Sequence, residues 1–152
     1  MDAKDKKIAT DLCYEIIKEV GRAIRPYVGK PESGEKVKMG ADGTPTSYID
    51  VIAEDQVINI LKNAPINSYI ISEDIGELKV GHGKKESVVI TQELRRTDLT
   101  PEQKPKFIFL IDPIDGTSNA IKEIPAYGIS IAVANVPDGR LATLNDVELG
   151  FI

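Results

Sequence analysis

The sequence predicts an α+β domain in which two amino-terminal helices pack on a largely antiparallel sheet. Three observations predict it. Two stretches with helical apolar spacing open the chain, short apolar runs of strand length then follow one another with few helical segments between them, and the composition is that of one globular domain. The 152 residues are 41% hydrophobic and 28% charged, with a formal net charge of −5. That balance supplies enough apolar side chain for a core.

Ile8, Leu12, Ile16, Val20 and Ile24 recur every fourth residue, the spacing of one helical face. The helix should fade near Pro26 and Gly29, and the Gly-, Pro- and Lys-rich segment to Gly43 reads as an exposed loop. A second helix begins near Ser47, with Thr46 or Ser47 as its cap, Ile49, Ile52, Ala53, Ile60 and Leu61 as its apolar stripe, and Pro65 as its end. Asp50 and Glu54 lie four residues apart on this helix, so they share a face. Strands are expected at Tyr69–Ser72, Ser87–Thr91, Phe107–Ile111, Tyr127–Val136 and Val147–Ile152. Arg95 to Pro105 is polar and reads as a loop or short helix, and Pro137, Asp138 and Gly139 form a turn.

Several classes of function are disfavoured. Lys and Arg are outnumbered by Asp and Glu, 19 to 24, so no nucleic-acid footprint is expected. No apolar run has the length of a membrane span, and the Lys- and Asp-rich start does not resemble a signal peptide, so a cytoplasmic address is expected. Cys13 is the single cysteine, which rules out an internal disulfide and reads as a packing residue in the first helix. The lone His82 lies in GHGK and reads as a hairpin tip.

The informative stretch is FIFLIDPIDGT, Phe107 to Thr117, an apolar strand that ends in Asp112 and Asp115 with Pro113 and Ile114 between them. Glu73 and Asp74 follow another apolar run in ISED. If the two strand ends are adjacent, three or more carboxylates converge without His or Cys, a donor set for Mg²⁺, Mn²⁺ or Ca²⁺ rather than zinc. Gly116, Thr117, Ser118 and Asn119 can open a helix and present backbone N–H groups to an anion. The same residues also suit an ordinary turn, with Gly116 left-handed and Ser118 or Asn119 a helix cap, and spacing alone leaves both readings open.

DPIDGT followed by an asparagine, SED at Ser72 to Asp74, and GTPTS followed by Asp50 and Glu54 together resemble the three signatures of the inositol monophosphatase superfamily, in the same order. GADGTPT and DGTSNAI are most similar to the archaeal-type branch, related both to inositol monophosphatases and to fructose-1,6-bisphosphatases. The resemblance implies the first half of a layered αβαβα sugar-phosphatase fold, with residues 1–152 as its amino-terminal metal- and phosphate-binding domain. It implies that Glu73, Asp112, Asp115 and the carbonyl of Ile114 hold Mg²⁺, two or three ions, with Mn²⁺ as an alternative. Asp50, Glu73 and Thr117 are implied to be catalytic, and Gly116 and Thr117 to bind substrate phosphate. Asp74 is implied to be the weaker, structural neighbour. The substrate implied is a small phosphorylated sugar or polyol, such as inositol monophosphate or fructose-1,6-bisphosphate, hydrolysed by metal-activated water. A nucleotide phosphatase of the 3′-phosphoadenosine type and a catalytically defective phosphate- and metal-binding module are the alternatives.

Members of that family are longer, and their second half adds a metal-binding aspartate in a Trp-Asp motif, whereas this sequence has no Trp. The chain is therefore expected to correspond to the amino-terminal half, to be weakly active or inactive alone, and to self-associate, as a homodimer, through sheet edges that the other half would cover.

Overall fold

A computed structural model describes residues 1–152. Its two long helices are α1, Ala3–Ile24, and α2, Tyr48–Asn63. Asp2 caps α1 by accepting a hydrogen bond from the Asp5 N–H, and the four-residue stripe is its buried face: Leu12, Ile16, Val20 and Ile24, with Ala9 and Cys13. Ile49, Ala53, Val57 and Leu61 bury the matching face of α2. The Val, Leu and Ile side chains among them, when fully removed from water, each contribute about 1.5–3 kcal/mol.

Between the two helices, the segment expected to be a loop folds as a small hairpin, β1 at Lys36–Met39 and β2 at Pro45–Ser47. All four residues of β1 are solvent-exposed, and the alternation of KVKM is too short to announce a strand within a Gly-, Pro- and Lys-rich segment. Ser47 occupies the N-cap position of α2 yet makes no capping bond, and its hydroxyl instead accepts from the Lys36 ammonium at 2.8 Å. Thr46 is also unavailable, being bonded to Asp74.

The main sheet contains β3, Ser68–Ser72; β4, Gly76–Gly81; β5, Lys84–Ser87; β6, Phe107–Asp115; β7, Gly128–Asn135; and β8, Val147–Phe151. Their spatial order is β5-β4-β3-β6-β7-β8, and every neighbouring pair is antiparallel except β3 with β6. The sheet is thus mixed. Reaching β6 parallel to β3 takes the chain out through the β4–β5 hairpin and the short helix α3, Ile90–Glu93. The strand expected at Ser87–Thr91 is corrected accordingly: only Ser87 belongs to β5, while Ile90 turns into α3 and buries itself against Tyr69 and Ile108. β4 was hidden because Gly76, Glu77, Lys79 and Gly81 dilute its apolar residues.

Alternation along β6 builds both sides of the sheet. Phe107, Phe109 and Ile111 face α1 and α2 in the main core, with Ile70, Leu78, Val80, Ile131 and Val133 from the neighbouring strands. Ile108 and Leu110 face the other way, into a smaller cluster with Tyr69, Ile71, Ile90 and Ala134. No helix of the chain is long and apolar enough to cross a membrane.

Candidate active site

The parallel pairing of β3 and β6 puts the two acidic motifs side by side. Their register runs from Ser68 opposite Phe107 to Ile71 opposite Leu110, and two residues further along the chain stand Glu73, in the turn just past β3, and Asp112, within β6. β6 does not stop at Ile111 as the apolar run suggests. It continues to Asp115 through a bulge: Asp112 pairs with Ser130 and Asp115 with Gly128, so Pro113 and Ile114 together face the single residue Ile129. Proline has no N–H to contribute to a ladder, and a bulge is where a strand tolerates it. Asp112 and Asp115 are solvent-accessible on either side of the buried Pro113 and Ile114.

Gly116 then turns the chain into α4, Thr117–Ile121. Its φ of +90° lies in the left-handed region, and a Cβ there would stand 2.8 Å from the Ala126 carbonyl oxygen, so only glycine fits. The Thr117 hydroxyl donates to Asp50 Oδ1 at 2.7 Å and lies 3.1 Å from the Ile114 carbonyl oxygen. One bond thus ties the start of α4 to the first turn of α2 across a sequence separation of 67 residues. Two more fasten α4 from outside: the Gly29 N–H donates to the Ala120 carbonyl at 3.0 Å, and the Asn119 side chain donates to the Ala126 carbonyl at 2.7 Å.

The electrostatics of the site are those of crowded anions. Desolvation, followed by the charges of Asp115, Asp50 and Glu73, pushes the Asp112 carboxyl above its ordinary range, against the opposing Ile114 N–H. Asp50 is likewise raised, first by burial and then by Asp74, while the Thr117 hydroxyl and Lys36 act the other way. Side chains and carbonyl in this set are all hard oxygen donors, and a concentration of negative charge is what a divalent cation relieves. The residues fit such an ion in kind. As the side chains stand, however, no three Asp, Glu, His or Cys side chains close into a metal-holding group.

The structure places the residues singled out in the sequence as follows. Glu73, Asp112, Ile114, Asp115, Gly116, Thr117 and Asp50 occupy one end of the β3–β6 pair and the helix starts beside it. Asp74 is a brace: its carboxylate accepts from the Thr46 hydroxyl at 2.9 Å and its carbonyl from the Ala41 N–H at 3.0 Å. His82 sits at the tip of the β4–β5 hairpin with a φ of 49°, and Cys13 is buried in α1. Sequence reasoning passed over Lys36, Lys38 and Thr46 as parts of the site's surroundings. Lys36 reaches Ser47 and Lys38 forms an ion pair with Glu54, so β1 is tied to α2 and its N-cap through both lysines. The alternation of KVKM, with both lysines on one strand face, was the available signal.

Beside the acidic residues, on the sheet face turned away from α1 and α2, an open groove of about 900 Å³ runs over Ile71, Leu110, Ala132 and Ile152 and reaches Glu73 and Asp112. A mixed sheet backed by two helices, with acidic strand ends beside a glycine-started helix, is a layered α+β architecture. Residues 5–145 match the inositol monophosphatase family, and the chain belongs to that family. It is 41% identical over 153 aligned residues to a fructose-1,6-bisphosphatase/inositol-1-monophosphatase of Methanothermobacter thermautotrophicus, the alignment covering 100% of this chain and 48% of that one. It is 42% identical over 125 residues to a bifunctional NADP phosphatase/NAD kinase of Methanocaldococcus jannaschii, covering 82% of this chain and 18% of the relative. The crystal structure of an inositol monophosphatase–fructose 1,6-bisphosphatase superposes with a TM-score of 0.59 at 24% identity, covering 85% of this chain and 41% of the other, and shares the fold. The chain spans less than half the length of each of these relatives.

Proposed function

We propose that residues 1–152 are the metal- and phosphate-binding domain of a phosphomonoesterase that acts with Mg²⁺ on a small sugar or polyol phosphate, such as inositol monophosphate or fructose-1,6-bisphosphate. The observation that carries this reading is the parallel β3–β6 register, which stands Glu73 beside Asp112 at the end of the sheet where Thr117 holds Asp50. Glu73, Asp112, Asp115 and the Ile114 carbonyl would hold the ions, two or three of them, with Mn²⁺ as an alternative. When bound, the metal supplies an acidified water and neutralises charge on the leaving oxygen.

The chain's own residues do the rest. With its proton directed at Asp50, the Thr117 hydroxyl turns a lone pair outward, where it can accept a hydrogen bond from the attacking water and orient it. Asp50 fixes that orientation and draws the proton along the same path. The N–H groups of Gly116 and Thr117, at the start of α4 where helix amides lack an intrahelical partner, meet the phosphoryl oxygens. Hydrolysis by this route needs no covalent intermediate. Because the relatives it matches are about twice its length or more, the 152 residues by themselves are proposed to turn substrate over slowly at most.

A second reading, hydrolysis of a nucleotide phosphate, is favoured by the identity to the NADP phosphatase/NAD kinase, which matches that to the first relative. The test is calorimetric titration with Mg²⁺, then phosphate release from inositol-1-phosphate, fructose-1,6-bisphosphate and NADP. Mg²⁺ binding abolished by Asp112→Asn, with slow release from a polyol or sugar phosphate, supports the first reading, and release confined to NADP the second. Binding without any release identifies a defective binding module. Mg²⁺ that fails to bind at millimolar concentration overturns all three. Self-association belongs to the same proposal, since β5 and β8 each have a single strand neighbour, and a stable monomer in sedimentation would refute it.

A further inference from the structure

Glu54 is the most deeply buried charged side chain near the site, 1% exposed on α2 one turn beyond Asp50. A carboxylate in that position costs several kcal/mol unless it is paired and hydrogen-bonded. One of its oxygens, Oε2, takes the Lys38 ammonium, while the other, Oε1, has no hydrogen-bond partner in the protein. The other charges that face it, Asp50 and Asp74, are of the same sign, which leaves Lys38 as its compensation.

Lys38 belongs to β1, and what that hairpin does at its far end gives the pair a purpose. At the tip, the Ala41 N–H donates to the Asp74 carbonyl at 3.0 Å and the Asp42 N–H to the Glu73 carbonyl at 3.1 Å. On the returning strand, Thr46 opposes Lys38 in the hairpin register and donates its hydroxyl to the Asp74 carboxylate at 2.9 Å. Gly40 lets the tip come this close, since a Cβ there would stand 2.7 Å from Asp74 Oδ1. The backbone of Glu73 is thus held by a hairpin whose strand face is otherwise exposed.

We propose that Glu54 is a positioning residue that captures Lys38, fixes the β1–β2 hairpin against α2, and through the hairpin tip sets the backbone of the Glu73–Asp74 turn beside Asp112. The effect on metal affinity rests on the proposed function. The effect on the hairpin does not.

Amide hydrogen exchange at Ala41 and Asp42, read by NMR with the core amide of Phe109 as internal reference, tests the hairpin. In Glu54→Gln, exchange at Ala41 and Asp42 should rise about tenfold or more, the scale of one lost charge-assisted hydrogen bond, with Phe109 unchanged. Lys38→Met alone leaves the carboxylate buried and unpaired, so it should destabilise the whole chain. Lys38→Met combined with Glu54→Gln should restore global stability while the tip stays unprotected, a separation that a merely structural role cannot produce. In that double variant the half-saturating Mg²⁺ concentration should rise several-fold at unchanged Tm. Unaltered exchange at Ala41 and Asp42 in the double variant overturns the inference. If the wild-type chain binds no Mg²⁺, the proposed function fails and the exchange measurements still decide the role of Glu54.

Discussion

Thr117→Val is the substitution most directly tied to the geometry of the site. Valine keeps the shape of threonine and removes one hydroxyl, which at 2.7 Å is the Asp50 carboxylate's bond to α4. Asp50 is already raised by burial and by Asp74, so the lost donor leaves a poorly solvated acceptor without its partner. Hydrogen bonds to charged groups contribute about 1.5–3 kcal/mol, and leaving the partner unsatisfied costs a similar amount. A loss of about 2 kcal/mol is therefore expected, equivalent to a Tm lowered by about 4–8 °C for a domain of this size. Asp50→Ala breaks the same bond from the other side and should cost less, because a desolvated charge has been removed and the Thr117 hydroxyl still has the Ile114 carbonyl at 3.1 Å. The double variant should then be about 1–2 kcal/mol more stable than the sum of the single effects requires. Urea unfolding of the four proteins measures this cycle without any reference to turnover. Additivity to within about 0.5 kcal/mol would refute the claim that this bond couples α4 to α2. In phosphate-release assays Thr117→Val should lower the rate by about 10²–10⁴, the usual worth of a positioned proton acceptor.

Two further outcomes follow from burial. Phe109→Ala removes a fully buried ring from the centre of β6 and should cost about 3–5 kcal/mol in urea unfolding, whereas Leu144→Ala, at a residue 82% exposed, should stay within about 0.5 kcal/mol. Cys13 is 0% exposed and burial pushes its thiol up to about 12, so a thiol reagent at neutral pH should label it only as fast as the chain unfolds. Rapid labelling of the native protein would show that α1 does not cover it.

The two long helices and the apolar run of β6, Phe107 to Ile111, were legible because their signals are local, whereas the bulged continuation to Asp115 was not. Four-residue apolar spacing defines one face of a helix wherever that helix ends up, and Phe107, Phe109 and Ile111 alternate with Ile108 and Leu110 in a way only a strand between two cores requires. β4 and β5 were not legible, because Leu78 and Val80 are the only large apolar residues of β4 among Gly, Glu and Lys, while β5 is exposed along its length and held by ladder bonds to β4. The β1–β2 hairpin escaped notice for a related reason: what holds it is polar and distant, Lys38 to Glu54 and Thr46 to Asp74.

For the site, the kind of donor atom is a local property of the residues. Carboxylates after two apolar runs, with no His or Cys among them, specify hard oxygen donors, and a glycine before Thr117 specifies a left-handed turn into a helix. The sequence by itself did not determine their convergence. Had β3 and β6 paired antiparallel, Glu73 would lie at the opposite end of the sheet from Asp112. The parallel register, made possible by the β4–β5–α3 excursion, puts both at one end. Likewise, nothing local to Asp50, Glu54 or Thr117 says that Asp50 meets a hydroxyl 67 residues away or that Glu54 is buried behind a lysine from the hairpin. Side-chain type is fixed residue by residue, but proximity between distant residues follows from which strands and helices share a core, and that was decided only when the whole chain folded.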